Sequence, residues 1–237
     1  MHRVPGLLWV LIAFFSILTA HAQPSAVRVS LEGGRLVPSP LENPCPGSSL
    51  LINHDYGFHC GYAWQYGGVV RPYYGAFAEQ FDGTGTLCGV QLVLTTLQGY
   101  YTGQTLDAYT WDADEGIPGA VLGVTIDLQP GPISIWPDHS VHDFAIEGVP
   151  VDGPFFTGMW PNWPNERAGF FLAEDLDGPI EGTPMTNIAP GIGYPTGWND
   201  PSIIWGPTWS MGIGAWLDEG VTPAECVTWG RIKSLWR

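Results

Sequence analysis

Basic residues are scarce in this chain. Only eight of the 237 residues are Lys or Arg, and Lys233 is the single Lys, whereas 23 residues are Asp or Glu. The formal net charge is therefore −15 at pH 7. Such a negative field repels phosphate groups. The composition argues against nucleic acid and anionic lipid as partners.

Long apolar runs are also missing after residue 22, because Gly, Pro or a charge interrupts every run before it reaches the roughly eighteen residues that a membrane helix needs. Residues 1–22 combine Arg3, an apolar run over 7–18 and the ending Ala20-His21-Ala22, which is the pattern of a secretory signal peptide. That run is too short to cross a bilayer of roughly 30 Å. We expect cleavage before Gln23, no membrane span after cleavage, and a secreted chain, extracellular or periplasmic. A retained anchor is the alternative.

Residues that break helices are abundant, with 32 Gly and 22 Pro. Short β-like runs lie between the Gly and Pro clusters, and some alternate apolar and polar residues, as from Val141 to Glu147. The runs cover 50–53, 76–81, 87–97, 106–111, 121–128, 141–149, 155–160, 168–173, 202–205 and 211–217. They predict an all-β fold, namely an antiparallel β-sandwich or jelly roll with long Pro- and Gly-rich loops.

The chain divides into four predicted segments. They are a signal peptide at 1–22, an extended Pro-rich leader at 23–46, a β-sandwich domain at 47–220, and a tail with a short helix at 221–237. Within the sandwich, 183–200 reads as a long irregular loop. The tail is basic, and its helix either docks on a partner or packs on its own domain.

Four cysteines, Cys45, Cys60, Cys88 and Cys226, follow the predicted signal peptide. Disulfides persist after export, so two bridges are expected. Three pairings are possible, and the spacing does not choose among them. The tentative pairing joins Cys60 to Cys88 and Cys45 to Cys226. A metal site is the alternative, although no C-x-x-C spacing occurs.

Tryptophans beside turn residues suggest a binding platform. An exposed indole offers a flat apolar face for a sugar ring, and nearby amides bond its hydroxyl groups. The predicted platform consists of Trp160, Trp163 and Trp198, with Asn162 and Asn199 as polar partners. Packing in the sandwich core or over a sheet edge is the competing interpretation, and core packing is favoured for most of the group Trp160, Trp163, Trp198, Trp205 and Trp209.

Two acidic turns suggest calcium. Asp112 and Asp114 begin a D-x-D-x-G pattern, and the run from Glu174 to Gly178 is similar. Hard cations prefer several oxygen ligands, which such turns begin to supply. Ordinary acidic hairpin turns use the same residues. We therefore expect no cofactor, apart from a structural calcium ion as a hypothesis.

Several stretches resemble secreted β-sandwich proteins predicted from genomes of uncultured bacteria, a group without an assigned activity. They are 73–81, 106–122, 160–178, 186–198 and 205–209, and the tail 228–237, of the form TWGRIKxLxR, is similar to terminal motifs of other exported proteins of such bacteria. The resemblance implies an extracellular sandwich and supplies no catalytic residues.

These features predict a non-catalytic extracellular module that binds glycan or another cell-surface component. One alternative is a structural or assembly protein that docks through its tail. Another is a glycoside hydrolase-like enzyme, which needs two carboxylates across a cleft, one with a raised pKa. Glu79, Glu147, Glu174 and Asp175 could supply such a pair, but the sequence contains no E-x-D-x-x-E, G-x-S-x-G or H-E-x-x-H motif. The oligomeric state stays open.

Overall fold

The computed structural model describes eight parts of the chain. They are residues 25–30, 36–37, 43–65, 73–100, 103–161, 163, 169–178 and 180–220. The predicted signal peptide, Asn162 and the predicted tail with Cys226 lie outside the described residues.

Strands make up nearly all of the regular structure. In chain order the elements are β1 (Ser25–Ser30), β2 (Leu36–Val37), β3 (Ser49–Ile52), β4 (Cys60–Gln65), β5 (Phe77–Thr95), β6 (Leu106–Asp114), β7 (Ile117–Leu128), β8 (His139–Trp160), β9 (Phe171–Asp175), β10 (Pro184–Ile188), β11 (Gly197–Asn199), α1 (Ser202–Trp205), β12 (Ser210–Met211) and β13 (Ile213–Asp218). The prediction of an all-β fold is confirmed.

The strands form one continuous sheet in the order β1-β4-β9-β5-β8-β6-β7. Strand β13 joins β5 to β3, β10 joins β5 to β11, β12 pairs with β9, and β2 pairs with β8. All of these pairs are antiparallel except the short one between β2 and β8. Apolar side chains from many strands share one large core, so the domain is sandwich-like.

Two strands are much longer than predicted. The runs 76–81 and 87–97 belong to the single strand β5, and 141–149 and 155–160 both belong to β8. Glycine-rich segments that resemble turns instead pair with each other, as Gly83 does with Gly153. Each half of β5 pairs with the opposite half of β8, and the β5–β8 register shifts between Leu87 and Gly89. Strands β5 and β8 therefore pair along most of their length at the centre of the sheet.

Two other local predictions are wrong. The run 202–205 forms α1 rather than a strand, because Pro201 has a helical φ of −61° and Asp200 Oδ1 accepts the N–H of Ser202 at 2.7 Å. The loop expected at 183–200 contains β10 and β11, which pair antiparallel. In addition, β1 and β2 fall within the predicted leader 23–46 and pair with β4 and β8.

The tentative disulfide pairing is also wrong. Cys45 bonds to Cys88 across 43 residues of sequence. The register shift of β5 brings Cys88 next to the segment before β3, where Gly89 lies against Pro44. Cys60 is buried in the core on β4. Within the described residues, no helix is long and apolar enough to span a membrane.

Candidate functional site

The predicted tryptophan platform is not exposed. Trp160 is 4% exposed and Trp163 is 1% exposed. Their ring N–H groups donate to backbone carbonyls, Trp160 to Tyr74 at 3.0 Å and Trp163 to Thr105 at 3.1 Å. The core interpretation is therefore correct for these two rings, because each has both its apolar face and its polar group satisfied inside the protein.

Trp198 and Asn199 also serve the fold. Trp198 on β11 is half-buried, and its ring centroid lies 5.0 Å from that of Trp111 in an edge-to-face contact. Asn199 Nδ2 donates to the carbonyls of Pro195 and Gly197, which closes the β10–β11 loop. Among the described platform residues, Trp160 and Trp163 are therefore buried and Trp198 and Asn199 are half-buried.

The first acidic turn is a tight hairpin. Glu115 and Gly116 both have positive φ, 52° and 84°, as the two-residue turn between β6 and β7 requires. Asp112 is half-buried, its Oδ1 atom has no hydrogen-bond partner, and Asp114 is exposed. Among the described residues, this turn offers no group of three metal-ligating side chains.

The second acidic turn does form such a group. His59, Asp175 and Asp177, which we call the His59 cluster, place their ligand atoms within 4.8 Å of one another. His59 Nδ1 lies 3.3 Å from Asp175 Oδ1, and His59 Nε2 lies 3.2 Å from Asp177 Oδ1. It is the one place in the described chain where three ligand groups converge.

Strand pairing builds the His59 cluster. Cys60 on β4 pairs with Glu174 on β9, and the N–H of His59 donates to the Glu174 carbonyl at 2.9 Å. The residue before β4 therefore stands beside the end of β9. The turn after β9 is closed by the N–H of Asp177, which donates to Asp175 Oδ1 at 3.2 Å.

Asp175 is the buried member of the cluster. Its side chain has no solvent exposure, whereas the side chains of His59 and Asp177 are 37% and 80% exposed. Burial raises the pKa of Asp175, and the nearby Asp55 adds to the increase, while the Asp177 N–H and His59 oppose it. The Oδ2 atom of Asp175 has no hydrogen-bond partner.

A cleft lies next to this edge of the sheet. It encloses about 560 Å³. The polar side chains that line it belong to Asn53, Gln80, Asp82, Glu181 and Thr183, and the apolar ones to Leu50, Leu51, Ile52, Phe81 and Pro154. Polar groups around an apolar floor form the usual lining of a small-molecule site.

The buried Glu79 carboxylate holds two residues that line the cleft, Asn53 and Thr183, by hydrogen bonds. This carboxylate is fully buried and accepts three N–H groups, from Asn53 Nδ2 at 3.0 Å and Thr183 N at 2.7 Å on Oε1, and from Met211 N at 2.9 Å on Oε2. Burial raises the pKa of Glu79 to about 7, and these donors oppose the increase. Asn53 Nδ2 also donates to the Gln80 carbonyl at 3.0 Å, so the amide has one fixed orientation.

Trp209 connects the cleft to the His59 cluster. Its carbonyl accepts the N–H of Gly182, which lines the cleft, at 2.8 Å. Its own N–H donates to the Asp175 carbonyl at 2.9 Å. The Trp209 side chain is 38% exposed, much more than the predicted platform residues Trp160 and Trp163. Sequence spacing gave no reason to choose Trp209, because its place beside the cleft depends on backbone hydrogen bonds to the distant residues Gly182 and Asp175.

Two further histidines are buried away from any group of three ligands. His54 packs against Tyr56 and Phe58, and His139 packs against Phe58 and Trp136. Burial lowers the pKa of each histidine to about 4. Both are therefore neutral near pH 7 and act as core aromatic rings.

Comparison of the chain with protein-family models, curated proteins and solved structures finds no match. The resemblance to secreted bacterial sandwich proteins stays a prediction. The site can be interpreted only from its own geometry.

Proposed function

We propose that this chain is an exported, non-catalytic module that binds glycan in the cleft beside Trp209. The observation that carries the proposal is the mixed lining of the cleft, where amide and carboxylate residues lie among apolar ones. A sugar needs both kinds of surface, since its hydroxyl groups form hydrogen bonds and its C–H faces pack on apolar groups.

The orientation of Asn53 supports this proposal. Both of its amide hydrogen bonds go to fixed acceptors, Glu79 Oε1 and the Gln80 carbonyl. The Asn53 Oδ1 atom is consequently held in place as an acceptor for a hydroxyl group. A preorganised polar group binds ligand at a lower entropic cost than a mobile one.

We assign an apolar contact to Trp209, because its backbone adjoins the cleft residue Gly182, although its ring is not part of the cleft lining. The exposed part of its ring is available for stacking, and its backbone is fixed at both ends by hydrogen bonds to Gly182 and Asp175. A ring on a fixed backbone loses little conformational freedom when it contacts a sugar. The Cys45–Cys88 bond supports an oxidising compartment, where extracellular glycan is present.

Glu79 is better placed to orient Asn53 than to transfer a proton. A glycosidase acid must reach the glycosidic oxygen. Both oxygens of Glu79 are occupied by N–H donors, and the side chain is fully buried beneath Gly182. We therefore assign Glu79 a positioning role in a binding site.

Binding to a panel of immobilised polysaccharides tests the proposal. We expect Trp209→Ala and Asn53→Ala each to weaken binding by about tenfold or more, which corresponds to about 1.4 kcal/mol. Tyr194→Ala is the matched control, because Tyr194 is exposed to a similar degree, at 40%, but lies in the β10–β11 loop, whereas the Trp209 backbone bonds to the cleft residue Gly182. Equal losses in all three variants, or no binding to any polysaccharide, would contradict the proposal. Release of reducing sugar from a bound polysaccharide would instead identify a hydrolase.

A further inference from the structure

We propose that His59, Asp175 and Asp177 bind one divalent transition-metal ion, preferentially zinc, at the edge where β9 ends. This inference is independent of the glycan proposal, because it rests on side chains that do not line the cleft. It also differs from the calcium hypothesis for the acidic turns, because one ligand is a histidine on another part of the sheet.

The spacing of the ligand atoms suits a small cation. Zinc binds His nitrogen and carboxylate oxygen at about 2.0–2.2 Å, so neighbouring ligand atoms in a tetrahedral site lie roughly 3.3–3.5 Å apart. The short contacts of His59 are 3.3 Å from Nδ1 to Asp175 Oδ1 and 3.2 Å from Nε2 to Asp177 Oδ1. With one ring nitrogen and one oxygen from each carboxylate, the three ligand atoms lie within 4.8 Å of one another, so rotation of the exposed Asp177 side chain would be needed to bring them onto a single ion.

The ligand types favour zinc over calcium. Calcium takes six to eight oxygen ligands in most sites. An imidazole with two carboxylates is instead typical of zinc and related transition metals. The Asp177 side chain is 80% exposed, so solvent could occupy a fourth position.

One buried polar atom of the cluster itself and one on the neighbouring strand lack a hydrogen-bond partner. Asp175 Oδ2 and Ser210 Oγ have no hydrogen-bond partner, and both residues have no solvent exposure. Ser210 on β12 pairs directly with Asp175 on β9, and cross-strand partners place their side chains on the same face of the sheet. Burial of such groups without a partner is costly, so a cation with its bound water would stabilise this position.

The surrounding charge is also unbalanced. Asp175 faces Asp177 and the nearby Asp55, and His59 is the only one of these groups that can carry positive charge. No Lys or Arg occurs among the side chains that the structure describes. A divalent ion would compensate the two carboxylates of the cluster.

Protonation of His59 is the competing explanation. A doubly protonated imidazole could bridge the two carboxylates without any metal. The N–H of Leu176 also lies 3.3 Å from His59 Nδ1. Zinc uptake separates the two arrangements, because a doubly protonated imidazole has no free nitrogen lone pair for a metal.

Zinc binding to the full exported chain tests the inference. The protein is produced without a polyhistidine tag and stripped with a chelator, and zinc content and melting temperature are measured after addition of zinc chloride. We expect one tightly bound zinc per chain and a rise in melting temperature of at least about 5 °C at a hundredfold excess over the dissociation constant. Calcium chloride at the same concentration should change it by less than about 1 °C.

Variants identify the ligands. His59→Gln should weaken zinc binding by at least about tenfold and remove the zinc-induced rise in melting temperature, and Asp177→Asn, at an exposed residue, should do the same. Asp114→Asn is the matched control, because Asp114 is an exposed aspartate in the other acidic turn, and it should leave the zinc affinity and the rise in melting temperature unchanged. Absence of stoichiometric zinc, a larger response to calcium, or loss of binding in Cys226→Ser rather than in His59→Gln would overturn the inference.

Discussion

Two fully buried carboxylates, Glu79 on β5 and Asp175 on β9, differ in how their oxygen atoms are satisfied. Glu79 accepts three N–H groups, and both of its oxygens are occupied. Asp175 accepts one N–H on Oδ1, contacts His59 through that same atom, and has no partner at Oδ2. Burial raises the pKa of both groups, so burial alone does not separate them.

The number of hydrogen-bond donors to each carboxylate separates a structural acid, Glu79, from Asp175, which keeps an unpaired oxygen atom. The partners of Glu79 come from β12 and from both sides of the cleft, so that carboxylate joins elements of the fold. Asp175 has fewer donors than acceptor positions and lies beside another acid. We infer that incomplete hydrogen bonding beside a histidine and a second acid, rather than a shifted pKa, distinguishes Asp175 from Glu79.

Removal of the Glu79 carboxylate should give the largest loss of stability. Glu79→Ala leaves the N–H groups of Thr183 and Met211 and the amide of Asn53 without their acceptor. We expect the free energy of unfolding in urea to fall by about 3–5 kcal/mol. Glu181→Ala is the control, because Glu181 lines the same cleft but is exposed, and its effect should stay within about 0.5 kcal/mol. Similar effects of the two changes would mean that Glu79 does not join these elements.

The pKa of Glu79 should make stability depend on pH. Its pKa is about 7 in the folded chain and 4.5 without the fold, so the folded state binds the extra proton between these values. Stability from this group is therefore present at low pH and is lost as pH rises through about 7, by on the order of 3 kcal/mol. His54 and His139, with pKa values lowered from 6.5 to about 4, act in the opposite direction and destabilise the fold as pH falls below 6.5.

The pH dependence due to Glu79 can be separated from that due to the histidines by comparing the chain with a Glu79→Gln variant. The free energy of unfolding of the chain minus that of Glu79→Gln should decrease from pH 5 to pH 7.5, because both proteins share the histidine contribution. A constant difference across this range would show that the three N–H donors fully offset the effect of burial on Glu79.

Substitution of Asp175 should not lower the free energy of unfolding, in contrast to substitution of Glu79. Without zinc, Asp175→Asn removes a buried charge that lies beside other acids, so we expect stability to stay equal or to rise by about 1 kcal/mol. With zinc, the same variant should lose the thermal shift of the unchanged chain. Urea unfolding measured with and without zinc checks both effects. Strong destabilisation in the absence of metal would mean that Asp175 is a scaffold group like Glu79.

The sequence predicted the strand regions well where alternation and apolar runs dominate. It failed where glycine pairs with glycine, because Gly83 and Gly153 look like turn residues but lie opposite each other within β5 and β8. Whether a glycine ends a strand or lies within one therefore depends on the residue that pairs with it on the neighbouring strand. A single sequence does not show that partner.

The candidate site was predictable only in part. The turn after Asp175 has a recognisable acidic pattern, but nothing local relates it to His59, which is 116 positions earlier and is placed by the β4–β9 pairing. The Trp residues show the same limit, because Trp163 and Trp209 both lie next to proline-rich turns, while only Trp209 is exposed. Side-chain type was visible in the sequence, whereas exposure depended on long-range pairing.

Trp209 should contribute less to stability than a core tryptophan, although its effect on binding should be large. The residue is 38% exposed, so it buries less surface than Trp163, and its backbone hydrogen bonds to Gly182 and Asp175 do not depend on the side chain. We expect Trp209→Ala to lower the free energy of unfolding by about 1–2 kcal/mol. Trp163→Ala, which empties a fully buried position, should cost about 3–5 kcal/mol. If the two variants lose similar stability, Trp209 is a packing residue, and the glycan surface must be sought elsewhere on the sheet.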